Sequence, residues 1–270
     1  MFWCVSKRHG YYLLAIGFAG TVLNQFLKLL FRIPRPWVLD SDFTIVESAR
    51  AQATGYSFPS GHSQNAIGTF GGIARFTRRK WVRVAAIVVA VLVPLSRMYL
   101  GVHTPLDVGV AAVIAVALVF ALYPLMERSD SRHGVMGAVL AVMLALAVGY
   151  LLFVSLYPFP ADVDAANLAS GVENAWKLLG ATVGMLVGWW LDVRFIHFDT
   201  RAVWYVQLIK LVGGLALLLG IRAALKAPLA AALGAGAGGA VRYGVMVLFA
   251  AAVWPMVFAP LCHALEKRVY

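Results

Sequence analysis

Long apolar runs separated by short polar turns dominate this chain, and they are too continuous for the core of a soluble domain. A hydrocarbon layer about 30 Å thick is crossed by roughly 20 apolar residues in a helix. Reading along the chain, the stretches that meet or approach this are 11–31, 62–76, 81–96, 104–126, 134–156, 176–191, 203–221 and 243–260. The pattern predicts an all-α fold, a polytopic membrane helical bundle of about eight transmembrane helices.

The second and third stretches are short. The second also carries Gln64, Asn65 and several glycines, which places it inside the bundle rather than against lipid. Segment 229–240 is apolar but built from Gly and Ala after Pro228. It reads either as a re-entrant or interfacial piece or as an early start to the last span. The first run follows Lys7-Arg8, as a secretory signal would, but no small-residue cleavage site follows and the run continues into Lys28. A retained span is expected.

Composition agrees with the pattern: of 270 residues 61% are hydrophobic and 13% charged, and the mean hydropathy is +0.81. The net charge of +11 could signal nucleic acid, an anionic surface or topology, and topology accounts for it. With eight spans, one side of the membrane holds Lys7, Arg8, Arg75, Arg78, Arg79, Lys80, Arg83, Arg128, Arg132, Arg194, Arg201, Lys267 and Arg268. The positive-inside rule makes that side, with both termini, cytoplasmic. No nucleic-acid partner is implied. Cys4 and Cys262 lie at opposite chain ends, both on the cytoplasmic side, and form neither a disulfide framework nor a metal site.

Three polar islands interrupt the apolar pattern on the other face: Lys28 with Arg35-Pro36, then Pro59-Ser60-Gly61-His62, then Ser96-Arg97 with His103 and Asp107. Ionisable groups beside a bilayer are costly and mark function. In the third island His103 and Asp107 are four apart, on one helical face. Thr104-Pro105 looks like an N-cap followed by Pro at N1. The plain alternative is a capping box between Thr104 and Asp107, with His103 merely preceding the helix. In the second island Ser60 reads as an N-cap, Gly61 lets an anion approach the backbone, and the first-turn amides form a phosphate cradle. In the first, Pro34 and Pro36 place Arg35 in an extended turn beyond the span. Arg32 reads as a snorkelling cation. Three cations to hold a phosphate, two histidines to attack and protonate, and a carboxylate to orient one histidine suffice for phosphate ester hydrolysis. Neither a metal nor a cofactor is called for.

At these residues the sequence resembles the type 2 phosphatidic acid phosphatase superfamily. Its signature of Lys-x6-Arg-Pro, Pro-Ser-Gly-His and Ser-Arg-x5-His-x3-Asp is matched at every spacing. The resemblance implies that His103 is the nucleophile, forming a phosphohistidine, with Asp107 orienting its ring. It implies that His62 protonates the leaving oxygen and later activates water. Lys28, Arg35, Arg97 and the backbone of Ser60 and Gly61 would hold the phosphate oxygens. In one respect the chain departs from the pattern: Lys28 lies in the first span, whereas the family commonly has more membrane helix before it. A missing helix or a truncated start is the expectation.

The chemistry lies N-terminal, so residues 1–127 are expected to form the catalytic helical core and 128–270 the accessory transmembrane helices of the same membrane domain. The loop from about Pro36 to Pro59 is expected to carry a short surface helix over the site, and it or the loop 157–174 would gate substrate. The function expected is metal-independent hydrolysis of a lipid phosphate or diphosphate at the extracytoplasmic face of a bacterial plasma membrane. An isoprenoid diphosphate, phosphatidate and phosphatidylglycerol phosphate are the candidates, with membrane lipids as the surroundings. Two readings compete with it: a phosphatase of a soluble ester such as glucose 6-phosphate, favoured if polar residues of 157–174 line the site, and a non-enzymatic lipid-binding or transport protein. Transport is disfavoured because the charges sit at one face of one half instead of near the midplane of two repeats.

Overall fold

The computed structural model describes residues 1–51, 53–129 and 133–266, without the side chains of 133 and 261–266. Arg132, Lys267, Arg268 and the Cys262 thiol, used above for charge and cysteine chemistry, lie outside what is described. Helices α1 (Lys7–Phe31), α2 (Pro36–Leu39), α3 (Glu47–Arg50), α4 (Gly61–Phe76), α5 (Lys80–Tyr99) and α6 (Pro105–Arg128) come first. They are followed by α7 (His133–Leu156), α8 (Ala165–Leu191), α9 (Trp204–Leu248) and α10 (Trp254–Glu266). Among the described residues there is no strand. The all-helical, polytopic architecture is as the hydrophobic pattern predicts.

Among the described residues, six stretches are long and apolar enough to cross a membrane: Lys7–Leu39, Lys80–Tyr99, Pro105–Arg128, Gly134–Leu156, Ala165–Ile196 and Trp204–Pro260. The count differs from eight at two places. Helix α4 has 16 residues, about 24 Å at 1.5 Å per residue, and its buried face of Ser63, Gln64, Ala66, Gly68 and Gly72 makes it internal rather than lipid-facing. The 203–221 and 243–260 candidates fall in one apolar run that α9 carries through Pro228. That run is broken at Gly234, whose φ of 76° and ψ of 173° end one arm and begin another. A Cβ on Gly238 would lie 2.4 Å from the Leu229 carbonyl oxygen, so the chain doubles back at the break. Segment 229–240 is therefore a tight turn between two helical arms.

The chain forms two compact units, one of Tyr12–Ser131 with Leu156–Gly171, the other of Met1–Tyr11, Arg132–Ser155 and Val172–Tyr270. In the first, α4 lies against α1. Gly68 and Gly72 leave room for Ile16, Leu13 and Tyr12, whose side chains a Cβ at either glycine would meet at 2.7–2.8 Å for the nearest atoms. The Tyr12 hydroxyl donates 2.7 Å to the Val119 carbonyl, tying α1 to α6. In the second, Gly180, Gly184 and Gly188 repeat every four residues along one face of α8. Cβ atoms there would stand 1.9 Å from the Ala240 oxygen, 2.4 Å from the Gly244 oxygen and 2.4 Å from the Ala251 Cβ. This is backbone-to-backbone packing of the small-residue kind that membrane helices use. A π-helical turn, Asp192–Ile196, closes α8. Its buried Asp192 accepts from Lys7 Nζ at 2.7 and 2.9 Å, beside a core of Trp3, Phe198, Val206, Trp254 and Phe258.

Candidate active site

The C-terminal ends of α1 and α5 and the N-terminal starts of α4 and α6 meet at one end of the first unit, because these helices alternate in direction along the chain. They enclose a cavity of about 350 Å³ whose wall includes Lys28, Arg35, Gly61, His62, Arg97 and His103. Lys28 and His103, 75 positions apart, are thus brought to one cavity by neighbouring helix ends. Ala49 of α3, with Ala53 and Thr54, lines the cavity too, so the segment expected to carry a surface helix does so and borders the site. No residue of 157–174 is among the described lining residues.

Two turns set the geometry. Arg32, at the end of α1, takes a left-handed backbone with φ of 51°, its N–H closing on the Lys28 carbonyl at 2.9 Å. The chain then leaves the helix axis, and Pro34 and Pro36 hold Arg35 extended, with φ of −69° and ψ of 152°. Gly101 has φ of +72°, and a Cβ there would stand 2.6 Å from the Thr44 carbonyl oxygen. Only glycine fits this turn, which returns the chain from Arg97 to His103.

His103 and Asp107 are 4% and 2% exposed. His103 Nδ1 lies 3.4 Å from Asp107 Oδ2, and Arg35 Nη1 lies 3.1 Å from His103 Nε2. A guanidinium only donates. Nε2 is therefore the acceptor, Nδ1 carries the proton, and that proton points to Asp107. The capping box is present as well: Thr104 N–H donates to Asp107 Oδ2 at 2.8 Å and Asp107 N–H to Thr104 Oγ1 at 3.2 Å. The two alternatives for this island coexist, since one carboxylate caps α6 and orients a histidine. Burial, then the nearby Arg35 and Lys28 charges, hold His103 below the ordinary imidazole value against the opposing Asp107 hydrogen bond. His62, in the first turn of α4, is also held low, by burial first and then by Arg97, Arg35 and Lys28.

The cations are held by carbonyls. Lys28 Nζ donates to the Tyr56 oxygen and, at 3.3 Å, to that of Ser57. Arg35 donates to Gly55, Thr54 and Val102 oxygens at 2.9, 2.7 and 2.9 Å. Arg97 Nε is buried without a hydrogen-bond partner among the described residues. None of the three pairs with a carboxylate among the described residues, so their charge remains available to an anion.

Ser60 and Asp107 stand behind the cavity wall. Ser60 is fully buried. Its hydroxyl caps α4 by accepting from Ser63 N–H at 3.4 Å, and its own N–H donates to the Asp107 carbonyl at 3.1 Å. The Ser60 amide therefore joins the second island to the third, while the N–H groups of Gly61 and His62 open α4 without intrahelical acceptors. Three residues outside the motifs also organise the site. Ser57 Oγ donates to Asp107 Oδ2 at 2.6 Å. Asn24 Nδ2 donates to the Pro59 carbonyl at 3.1 Å and to Gln64 Oε1 at 3.0 Å. Gln64 Nε2 donates to the Gly20 carbonyl at 2.6 Å, which clamps the second island to α1. Their sequence signal is faint: a serine two before the proline, and two amides in apolar helices.

Residues 8–131 match the model of the PAP2 superfamily, and residues 176–267 match that of the PAP2 superfamily phosphatase transmembrane extension. The chain is 31% identical over 118 residues to Undecaprenyl-diphosphatase BcrC of Bacillus subtilis, covering 44% of this chain and 58% of that protein. It is 36% identical over 96 residues to an Undecaprenyl-diphosphatase of Sulfolobus acidocaldarius, covering 35% and 45%. With Phosphatidylglycerophosphatase B of Bacillus subtilis it shares 35% over 117 residues, covering 40% and 53%. The chain spans about half the length of these curated relatives. No solved structure gives a significant match.

Proposed function

This chain belongs to the PAP2 superfamily, and from that premise we propose that it hydrolyses a lipid phosphate or diphosphate through a phosphohistidine, without a metal, at the extracytoplasmic face of the membrane. One observation carries the reading: three cations without carboxylate partners among the described residues and two histidines converge on one cavity at the end of four helices. Phosphate oxygens take the donors of Lys28, Arg35, Arg97 and the Gly61 and His62 amides. Arg35 then turns from His103 Nε2 to the phosphate, freeing the nitrogen lone pair. Nε2 attacks phosphorus in line with the leaving oxygen, which keeps the electron pair of the broken P–O bond and takes a proton from His62. Asp107 stabilises the resulting cationic ring. A water, deprotonated by His62, then attacks phosphorus and releases inorganic phosphate, restoring neutral His103.

The basic residues Arg75 at the end of α4, Arg78 and Arg79 in the turn that follows, and Lys80 and Arg83 in the first turn of α5 lie at the opposite end of those helices from the cavity. The positive-inside rule turns the cavity outward. The lipid reading is supported by the relatives' printed names and by the position of the cavity at helix ends. The soluble-ester reading would be favoured by polar residues of 157–174 in the wall, and the described lining has none.

The test is phosphate release by purified protein in detergent with a chelator present. The panel is an isoprenoid diphosphate, phosphatidate, phosphatidylglycerol phosphate and glucose 6-phosphate, with His103→Ala as control. Release from the lipids that disappears in His103→Ala is expected. Release that persists in the variant, or that needs added divalent ion, overturns the mechanism.

A further inference from the structure

The cavity continues past the cations. Gln25 precedes Lys28 by three residues on α1, and Asn65 follows His62 by three on α4, so each amide lies on the face of its charged neighbour. The two helices run in opposite directions from the site. Both amides therefore sit one turn farther from the helix ends, about 4.5 Å along the axis, and both line the cavity. Their level is fixed from behind by the bridge between adjacent residues, Asn24 Nδ2 to Gln64 Oε1 at 3.0 Å. Neither Gln25 nor Asn65 is engaged by another polar side chain among the described residues.

We propose that Gln25 and Asn65 form a second-phosphate subsite that receives the leaving phosphate of a diphosphate whose terminal phosphate lies among Lys28, Arg35 and Arg97. The inference rests on the phosphatase reading and specifies its substrate. That rise of about 4.5 Å along the axis exceeds the phosphorus-to-phosphorus separation across a bridging oxygen, so the amides stand at the level of the second phosphate's outer oxygens. In such a substrate the bond from terminal phosphorus to bridging oxygen breaks. The bridging oxygen departs on the lipid monophosphate with the electron pair and is protonated by His62, while the two amides donate to that phosphate's non-bridging oxygens, which carry its negative charge before and after the step. Neutral amides suit this position: they hold those oxygens, do not retain the anionic product as a cation would, and cost less than a charge below the membrane surface. A monophosphate of the same chain offers only hydrocarbon there.

The experiment compares kcat/KM on farnesyl diphosphate, farnesyl monophosphate and dioleoyl phosphatidate for the wild type, Gln25→Leu, Asn65→Leu and the nearly isosteric Asn65→Asp. The Leu variants should lose about tenfold or more on the diphosphate and stay within about threefold on the monophosphate, which also reports that they are folded. Asn65→Asp should lose more than Asn65→Leu on the diphosphate, because it sets a carboxylate against the second phosphate. Equal losses on both farnesyl substrates, no loss on the diphosphate, or selective loss on phosphatidate, which would give the amides to the glycerol ester, overturns the subsite while leaving the phosphatase reading intact. Absence of wild-type release from all three substrates overturns the parent reading and the subsite together.

Discussion

The hydroxyl of Ser57 donates a 2.6 Å hydrogen bond to Oδ2 of Asp107, the oxygen that faces His103 Nδ1 at 3.4 Å. All three side chains are buried. With the Thr104 N–H, Ser57 fixes which lone pairs of the carboxylate remain for the imidazole. Hydrogen bonds to charged groups contribute about 1.5–3 kcal/mol, and part of that should be expressed in ring orientation. Ser57→Ala is expected to lower kcat by about tenfold with little change in KM. The acidic limb of its pH profile should move upward, since a carboxylate with one donor fewer favours the imidazolium more. An unchanged profile would assign Ser57 to packing alone.

His62 has a separate signature. General acid catalysis contributes about 10²–10⁴-fold where the leaving group is poor. His62→Ala should lose that much on farnesyl monophosphate, which expels an alcohol, and far less on p-nitrophenyl phosphate. Equal losses would contradict protonation by His62.

The pH dependence follows from the two histidines. His103 attacks when neutral, and burial with neighbouring cations holds it below 6.5. The neutral form therefore prevails above that lowered value, and kcat/KM should fall only as pH drops through it. His62 must be protonated, and it too is held low by burial and by Arg97, Arg35 and Lys28. A bound phosphate dianion offsets those cations and raises it. The alkaline limb of kcat should accordingly lie at higher pH than that of kcat/KM, measured on the same substrate.

Gly184 tests the second unit. A Cβ there would stand 2.4 Å from the Gly244 carbonyl oxygen, and backbone cannot yield as a side chain can. Gly184→Val should cost about 1–3 kcal/mol or more, seen as a lower Tm in detergent. Gly220, with nothing within 4 Å of its Cβ, should tolerate alanine. Similar Tm values for Gly184→Val and wild type would refute the close packing.

The eight candidate site residues stand out because their chemistry is costly in an apolar chain and their spacing within each island is local. Ser57, Asn24 and Gln64 were not, because what identifies them is a partner at sequence separations of 50, 35 and 40 residues. Apolar length alone undercounts the helices for a related reason. Helix α4 is sheltered by α1 and tolerates Gln64 and its glycines, so hydropathy understates its burial. In α9 the break at Gly234 separates the stretches 203–221 and 243–260, as the sequence pattern has them. Arg32 reads from its charge as a snorkelling side chain, yet its left-handed backbone is what turns the chain toward Arg35.

The pairing of Lys7 with Asp192 spans 185 residues, and this sets an order on biogenesis. All the residues assigned to the site are synthesised before residue 108, while Lys7 emerges without its carboxylate. At 5–20 residues per second that interval is roughly ten to forty seconds. Throughout it the ammonium at the start of α1 is left to water and lipid headgroups, and its ion pair closes only once the end of α8 has been made.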